Sequence, residues 1–187
     1  MTGLRRALFL DRDGVINVDH GYVCTPERTE FVDGIFDLCR LAARCGYLVV
    51  VITNQAGIAR GYYSEQEFRD YMDWMRDVFA EHHAQLDAVY YCPHHPVEGV
   101  GEYRRKCACR KPEPGMILAA QRDLRLDLSR SIFVGDSPSD GQAGKTAGVG
   151  TCIMLHPLSH TRAGRPALDP ADVERIVASL GDAPPHD

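Results

Sequence analysis

Five consecutive apolar residues, Leu48-Val49-Val50-Val51-Ile52, run straight into the polar stretch Thr53-Asn54-Gln55. Four of the five are β-branched, so the run predicts a strand rather than a helix. Nothing polar is available to face water on either side, and a strand buried on both faces belongs to a parallel sheet covered by helices above and below.

The rest of the chain continues this pattern. Ala7–Leu10, Val89–Tyr91, Ser131–Val134 and Gly150–Leu155 read as further short strands. Ile35, Leu38, Leu41 and Ala42 recur at helical spacing from about Gly34 to Arg44, and Gly46 stops the helix. Ser64-Glu65-Gln66-Glu67 has the form of a capping box that opens a helix to about His82. Met116–Leu124, Ser139–Ala147 and Asp169–Leu180 are also helical in pattern. Strands alternating with helices imply a right-handed α/β architecture, a Rossmann-like parallel sheet with helices on both faces. Residues 1–187 are read as one domain, with a Gly/Pro-rich tail that frays from about residue 181. No stretch is long enough for a separate cap domain, so loops around 19–31, 55–63 and 92–110 are left to shape a pocket.

Composition narrows the partners. A net charge of −5 and a pI near 5.9 lack the basic footprint of a nucleic-acid binder. An anionic substrate therefore needs a local cationic pocket. The apolar run Ala7–Leu10 near the basic N-terminus is too short for a signal peptide, and no run approaches a membrane span. The expectation is a cytoplasmic monomer that acts on a small molecule, away from membranes.

Ligands of parallel α/β sheets lie beyond the carboxyl ends of the strands, and chemistry-bearing residues cluster there. Asp11-Arg12-Asp13-Gly14 leaves the first strand. Alternate residues point the same way, so both carboxylates can face one site, one to attack phosphorus and one to handle the leaving group's proton. A plain Asp-Gly turn is the alternative. Thr53, Asn54 and Gln55 offer hydrogen bonds to phosphate oxygens, or else cap a loop. Arg110 and Lys111 bring two cations to a loop–helix junction, or else form an exposed pair. In Gly135-Asp136-Ser137-Pro138-Ser139-Asp140, Asp136 and Asp140 can hold a hard cation such as Mg²⁺ with the carboxylates of the first cluster; an N-cap loop is the alternative. The order of these groups, at successive strand ends, favours a single phosphate-handling site.

The cysteines number seven, and an odd count argues against a closed disulfide framework. Cys24, Cys39, Cys45 and Cys152 read as ordinary thiols. Cys92 with His94, and Cys107 with Cys109, form two short ligand pairs that can close a tetrahedral zinc site of three thiolates and one imidazole. Four protein ligands leave no open position, so that zinc is expected to be structural and to pin the loop delivering Arg110 and Lys111.

Taken together, from about Leu8 to Gly150, these motifs resemble the haloacid dehalogenase (HAD) superfamily in its aspartyl-phosphate phosphatase branch, with Asp11/Asp13, Thr53, Lys111 and Asp136/Asp140 at its four motif positions. The runs 11–17, 19–23, 51–61, 90–96, 109–116 and 135–140 look like the histidinol-phosphatase-like subgroup, and within it like the enzymes of heptose bisphosphate metabolism. The resemblance implies Asp11 as nucleophile and Asp13 as acid and base. It also implies Mg²⁺ held by Asp11, Asp136 and the main-chain carbonyl of Asp13, and a loop zinc at Cys92, His94, Cys107 and Cys109. Asp19, His20, Gly21, Tyr22, Thr53, Asn54, Gln55, Arg110 and Lys111 are the implied substrate contacts. The implied reaction is hydrolysis of the 7-phosphate of D-glycero-D-manno-heptose 1,7-bisphosphate, on the way to ADP-heptose and the lipopolysaccharide core. Histidinol phosphate as substrate, polynucleotide phosphate ends, and a catalytically silent zinc-bearing interaction module are the competing readings. One departure from the pattern stands out: Ser137 occupies a position where the heptose enzymes typically carry lysine.

Overall fold

The structure, a computed structural model, describes residues 3–181. The expected frayed tail lies outside the described residues beyond that point. Five strands, β1 (Arg6–Leu10), β2 (Tyr47–Asn54), β3 (Ala88–Cys92), β4 (Ile132–Gly135) and β5 (Thr151–Met154), form one parallel sheet in the order β3-β2-β1-β4-β5. The helices are α1 (Ile35–Arg44), α2 (Ala56–Ala59), α3 (Glu65–Glu81), α4 (Gly115–Leu124), α5 (Pro138–Ala147) and α6 (Pro170–Gly181).

The period-2 alternation of the strands divides the core into two layers. Leu8, Leu10, Val49 and Val51 pack with Ile35 of α1, Phe68, Met72 and Met75 of α3, and Ile176 of α6. Ala7, Phe9, Val50 and Ile52 pack with Met116, Ile117 and Ala120 of α4 and Ala143 of α5 on the opposite face. Helices therefore cover both faces, as the unbroken apolar run of β2 requires. The capping box of α3 forms as expected: Ser64 Oγ accepts from the Glu67 N–H at 3.1 Å, and Glu67 Oε2 accepts from the Ser64 N–H at 2.7 Å.

Register decides where the functional residues emerge. Leu10 lies beside Val51 of β2 and Val134 of β4, so β4 ends one residue and β2 three residues beyond β1. The chain runs outward from β1 through β2 and β3 on one side, then through β4 and β5 on the other. The end of β1 is thus the switch point where such sheets open a crevice. Three details differ from the sequence reading. β2 extends through Thr53 and Asn54, so both are strand residues paired with Tyr91 and Cys92. A short helix, α2, occupies part of the expected loop 55–63. Two two-residue strands, β6 (Ser159–His160) and β7 (Pro166–Ala167), form a small antiparallel ribbon that carries no apolar run to announce it. No helix among the described residues is long and apolar enough to cross a membrane.

Phe9 and Phe133 meet edge to face at the sheet centre, with ring centroids 6.2 Å apart at 71°. Both are buried. Phe9→Ala should lower stability by about 3–5 kcal/mol through lost transfer energy and a residual cavity. Urea denaturation is the measurement, and a loss below about 1 kcal/mol would show that this layer can collapse around the gap.

Candidate active site and thiol cluster

Asp11 continues the line of β1, with its N–H donating to Val134 O at 3.0 Å. Its Oδ1 accepts from the Arg12 N–H at 2.7 Å and lies 2.9 Å from Lys111 Nζ. The Lys111 side chain is only 2% exposed. Its ammonium also donates to Ile52 O at 2.9 Å and lies 2.6 Å from Asp140 Oδ1. The ammonium thus meets groups from three different elements: the end of β2, the residue after β1, and the first turn of α5. Burial works against charge on Lys111, but Asp11 and Asp140 outweigh it and hold its pKa above the usual lysine range.

The carboxylates of Asp11, Asp136 and Asp140 lie within 4.8 Å of one another. Burial pushes the Asp11 pKa up to about 7; Lys111 opposes this and the Asp140 charge adds to it. Burial, then the Asp140 charge, raises Asp136 to about 6. One ammonium does not balance three carboxylates, and the all-oxygen donor set fits a hard divalent cation such as Mg²⁺. The approach is tight. Gly14 has φ +82°, and a Cβ there would stand 1.9 Å from Asp136 Oδ2, so both backbone and space demand glycine.

Asp13 is handled differently. Arg12 Nη2 donates to both of its carboxylate oxygens at 2.7 Å, Arg12 Nε donates to Oδ1 at 3.2 Å, and Asn17 Nδ2 adds a fourth bond at 3.0 Å. Arg12 is completely buried. It donates to Val23 O at 2.7 Å and lies over the rings of Phe68 and Tyr71, at 5.7 and 5.3 Å from their centroids. The Asp13 side chain therefore stands apart from the three clustered carboxylates. It still lines the same cavity.

That cavity encloses about 440 Å³ and is lined by Asp11, Asp13, Asp19, Gly21, Tyr22, Thr53, Asn54, Gln55, Tyr63, Lys111, Asp136, Ser137 and Ser139, with Ala56. Tyr63 OH donates to Gln55 Oε1 at 2.7 Å, and Gln55 Nε2 donates to Thr53 Oγ1 at 2.8 Å. Thr53 is thereby kept as an acceptor on one side, and its own hydroxyl proton is available to a ligand. Asn54 grips the Lys111 backbone, accepting from its N–H at 3.0 Å and donating to its carbonyl at 3.1 Å. A larger and more apolar cavity of about 740 Å³ adjoins this one, sharing Gly21, Tyr22 and Tyr63 but none of the clustered carboxylates.

Two expected contacts lie elsewhere. His20 is exposed, with Nε2 2.9 Å from Glu30 Oε2. Arg110 Nη1 donates to His94 O at 3.0 Å, and Arg110 lines a neighbouring cleft of about 230 Å³ with Arg105, Lys106 and Lys111. Ser137 supplies no charge. Its hydroxyl and N–H both donate to Asp140 Oδ2, at 2.8 and 3.0 Å, so the serine caps α5 and fixes Asp140. Sequence reasoning assigned no role to Arg12, Asn17, Tyr63 or Ser139. An arginine between two aspartates gives no sign in sequence that it will be buried.

The second cluster stands beside the first. Cys92 ends β3; its Sγ lies 3.4 Å from Cys107 Sγ and 3.2 Å from Cys109 Sγ, and the last two sulfurs are 3.2 Å apart. His94 Nδ1 faces them at 3.6 Å from Cys92 and 3.5 Å from Cys109. All three cysteines are free thiols. These spacings approach the edges of a tetrahedron, about 3.8 Å for Zn–S bonds of about 2.3 Å, and the soft donors fit zinc. The His95 N–H bonds to Tyr103 O at 3.0 Å and the Arg105 N–H to His95 O at 3.1 Å, closing the loop between the two pairs.

Several known proteins are similar to this chain. A family model described as HAD-hydrolase-like matches residues 108–183. A D-glycero-alpha-D-manno-heptose-1,7-bisphosphate 7-phosphatase from Burkholderia mallei is 59% identical over 150 residues, 80% of this chain and 79% of that protein. A D-glycero-beta-D-manno-heptose-1,7-bisphosphate 7-phosphatase from Vibrio cholerae is 44% identical over 180 residues, 95% and 94% of the two chains. Among solved structures, a HAD-like phosphatase from Mesorhizobium loti matches with TM-score 0.87 and 34% identity, covering 100% of this chain and 91% of the other. The D,D-heptose 1,7-bisphosphate phosphatase from B. bronchiseptica, complexed with magnesium and phosphate, matches with TM-score 0.69 and 35% identity over 78% of each chain.

The grip of Arg12 on Asp13 makes a testable demand. Arg12→Lys keeps the charge but loses the fork that holds two oxygens. A carboxylate misplaced by about 1 Å should lower kcat about a hundredfold while KM changes little. Steady-state kinetics on a folded variant decide the point, and an unchanged kcat would remove Arg12 from any part in positioning Asp13.

Proposed function

The chain belongs to the D-glycero-D-manno-heptose-1,7-bisphosphate 7-phosphatase family of HAD-like hydrolases, and on that footing we propose that it transfers the 7-phosphate of this sugar bisphosphate to Asp11 and then to water. The observation that carries the reading is the setting of Asp11 at the switch point. Among the described residues both of its partners engage Oδ1, the Arg12 N–H and Lys111 Nζ, which leaves Oδ2 to attack.

Asp11 Oδ2 forms a bond to phosphorus as the bond to the sugar oxygen breaks in line, and Asp13 protonates the departing oxygen. Asp13 then takes a proton from water, whose oxygen attacks the aspartyl-phosphate and frees Asp11 and inorganic phosphate. Arg12 and Asn17 hold Asp13 for both steps. Lys111 and the Thr53 hydroxyl meet the phosphate oxygens, with stabilisation mainly electrostatic. Asp11, Asp136 and the Asp13 carbonyl are the groups suited to hold Mg²⁺, which when bound supplies positive charge for the phosphoryl oxygens. Asp140, tied to Lys111 and Ser137, secures the ammonium.

The second phosphate finds cations in the neighbouring cleft, where Arg110 stands with Arg105 and Lys106. The relatives described above are named for opposite anomers, and the higher identity to the alpha enzyme favours the α anomer. Zinc at Cys92, His94, Cys107 and Cys109 is proposed as structural, fixing the loop that ends in Arg110 and Lys111.

Activity should be compared on both heptose anomers and on histidinol phosphate at saturating Mg²⁺. The expected preference for heptose bisphosphate in kcat/KM is at least about a hundredfold, or ~2.7 kcal/mol of transition-state binding. Asp11→Asn should fall more than about a thousandfold on every substrate. Equal rates on histidinol phosphate would defeat the substrate reading and leave the phosphatase reading standing.

Protein purified without added metal should carry about one zinc per chain by elemental analysis. Cys107→Ser should lose that zinc and lower the melting temperature, because the metal's binding energy is part of the folding energy. Turnover supported by zinc after removal of Mg²⁺ would contradict the separation of the two sites.

A further inference from the structure

Three loops meet beside the catalytic cavity, and Arg60 is where they are fastened. Its guanidinium carbon lies 5.6 Å from the centroid of the Tyr22 ring. Its Nη2 forms an ion pair with Glu98. Tyr22 lines the catalytic cavity and meets Tyr62 edge-on, with centroids 4.8 Å apart at 72°. Glu98 belongs to the loop between the two ligand pairs of the thiol cluster, and its N–H donates to His95 Nδ1 at 2.9 Å. A backbone bond from the Val100 N–H to Ala59 O, 2.7 Å, ties the same loops a second time.

Tyr22 needs such a fastening. Its φ is +53°, directly after Gly21 at +73°, a conformation that a bulky L residue seldom adopts. Tyr22 is 40% exposed and belongs to neither layer of the core, so core packing does not fix it. It forms part of the wall shared by the catalytic cavity and the larger aromatic cavity beside it. The placement of this ring sets the space for whatever the phosphate is attached to, while the phosphate itself is met by groups at the strand ends.

We propose that Arg60 is a positioning residue for substrate selectivity: by stacking on Tyr22 and pairing with Glu98, it makes the sugar-facing wall of the pocket depend on the loop that carries the thiol cluster. This rests on the phosphatase reading above, but the substrate discrimination it describes is separate from the chemistry at Asp11.

The test is steady-state kinetics at saturating Mg²⁺ on two substrates, the heptose bisphosphate and p-nitrophenyl phosphate. Arg60→Gln should raise KM for the sugar about tenfold with kcat within about twofold, and leave p-nitrophenyl phosphate turnover unchanged. Arg60→Lys, which can still stack and pair, should restore KM to within about threefold of wild type. Glu98→Gln should act in the same direction, and the double variant should be no worse than Arg60→Gln alone. In a Tyr22→Ala background Arg60→Gln should have no further effect on KM. The proposal is overturned if Arg60→Gln leaves KM for the sugar unchanged, or if both substrates suffer equally. It is overturned too if the Arg60 and Tyr22 effects simply add, an arm that remains readable with Glu98→Gln in place of Arg60→Gln should the latter fail to fold. A wild-type chain inactive on both substrates would instead bring down the phosphatase reading, and this proposal with it.

Discussion

The buried ammonium of Lys111 is the interaction on which the site depends. It joins Asp11, Asp140 and the carbonyl of Ile52, so the ends of β1 and β2 and the start of α5 share one cation. Removing one member of such a buried pair strands the others and costs about 3–5 kcal/mol, far more than an exposed pair is worth. Lys111 is itself carried on a loop, and Asn54 at the end of β2 holds its backbone on both sides. Catalytic geometry and fold integrity therefore rest on the same contacts.

Electrostatics explains why the remaining carboxylates are arranged as they are. Three of them crowd within 4.8 Å around one ammonium, and burial raises Asp11 and Asp136 toward neutrality. On the proposed reading, a divalent cation held by these oxygens would oppose that tendency and keep Asp11 in the anionic form that a nucleophile needs. Asp13 is kept out of this group by its own cation, Arg12, whose surroundings are the aromatic faces of Phe68 and Tyr71. Neighbouring aspartates two residues apart are thus given separate environments, the arrangement that the proposed division into nucleophile and proton carrier calls for.

Among the described residues no separate cap covers this chemistry; the surface around it is made by loops, and loops need anchors. α3 begins at the capping box of Ser64, and its Glu65 accepts hydrogen bonds from Tyr91 at 2.6 Å and Tyr103 at 2.9 Å. Those tyrosines belong to β3 and to the loop of the thiol cluster, so the helix, the sheet edge and the loop are held as one unit. The thiol cluster closes the same loop at its base, next to the backbone that presents Arg110 and Lys111.

The sequence alone determined the five strands of the main sheet, the longer helices, the strand-end positions of Asp11 and Asp136 and the place of Lys111 on a loop before a helix, whereas Thr53 lies inside β2, one residue from its end. It could do so because burial on two faces leaves unbroken β-branched runs, and period 3.6 marks the covering helices. It also determined the thiol cluster, since short ligand spacings are local. Only the tertiary structure decided that Arg12 is buried, because the groups that accept it, Val23, Phe68 and Tyr71, arrive from distant elements. For the same reason only the fold could turn Asp13 toward Arg12, place Arg110 in a neighbouring cleft and leave His20 exposed beside Glu30. A charged side chain carries no periodic signature of its surroundings; its place is set by which partners the chain topology brings within a few ångströms.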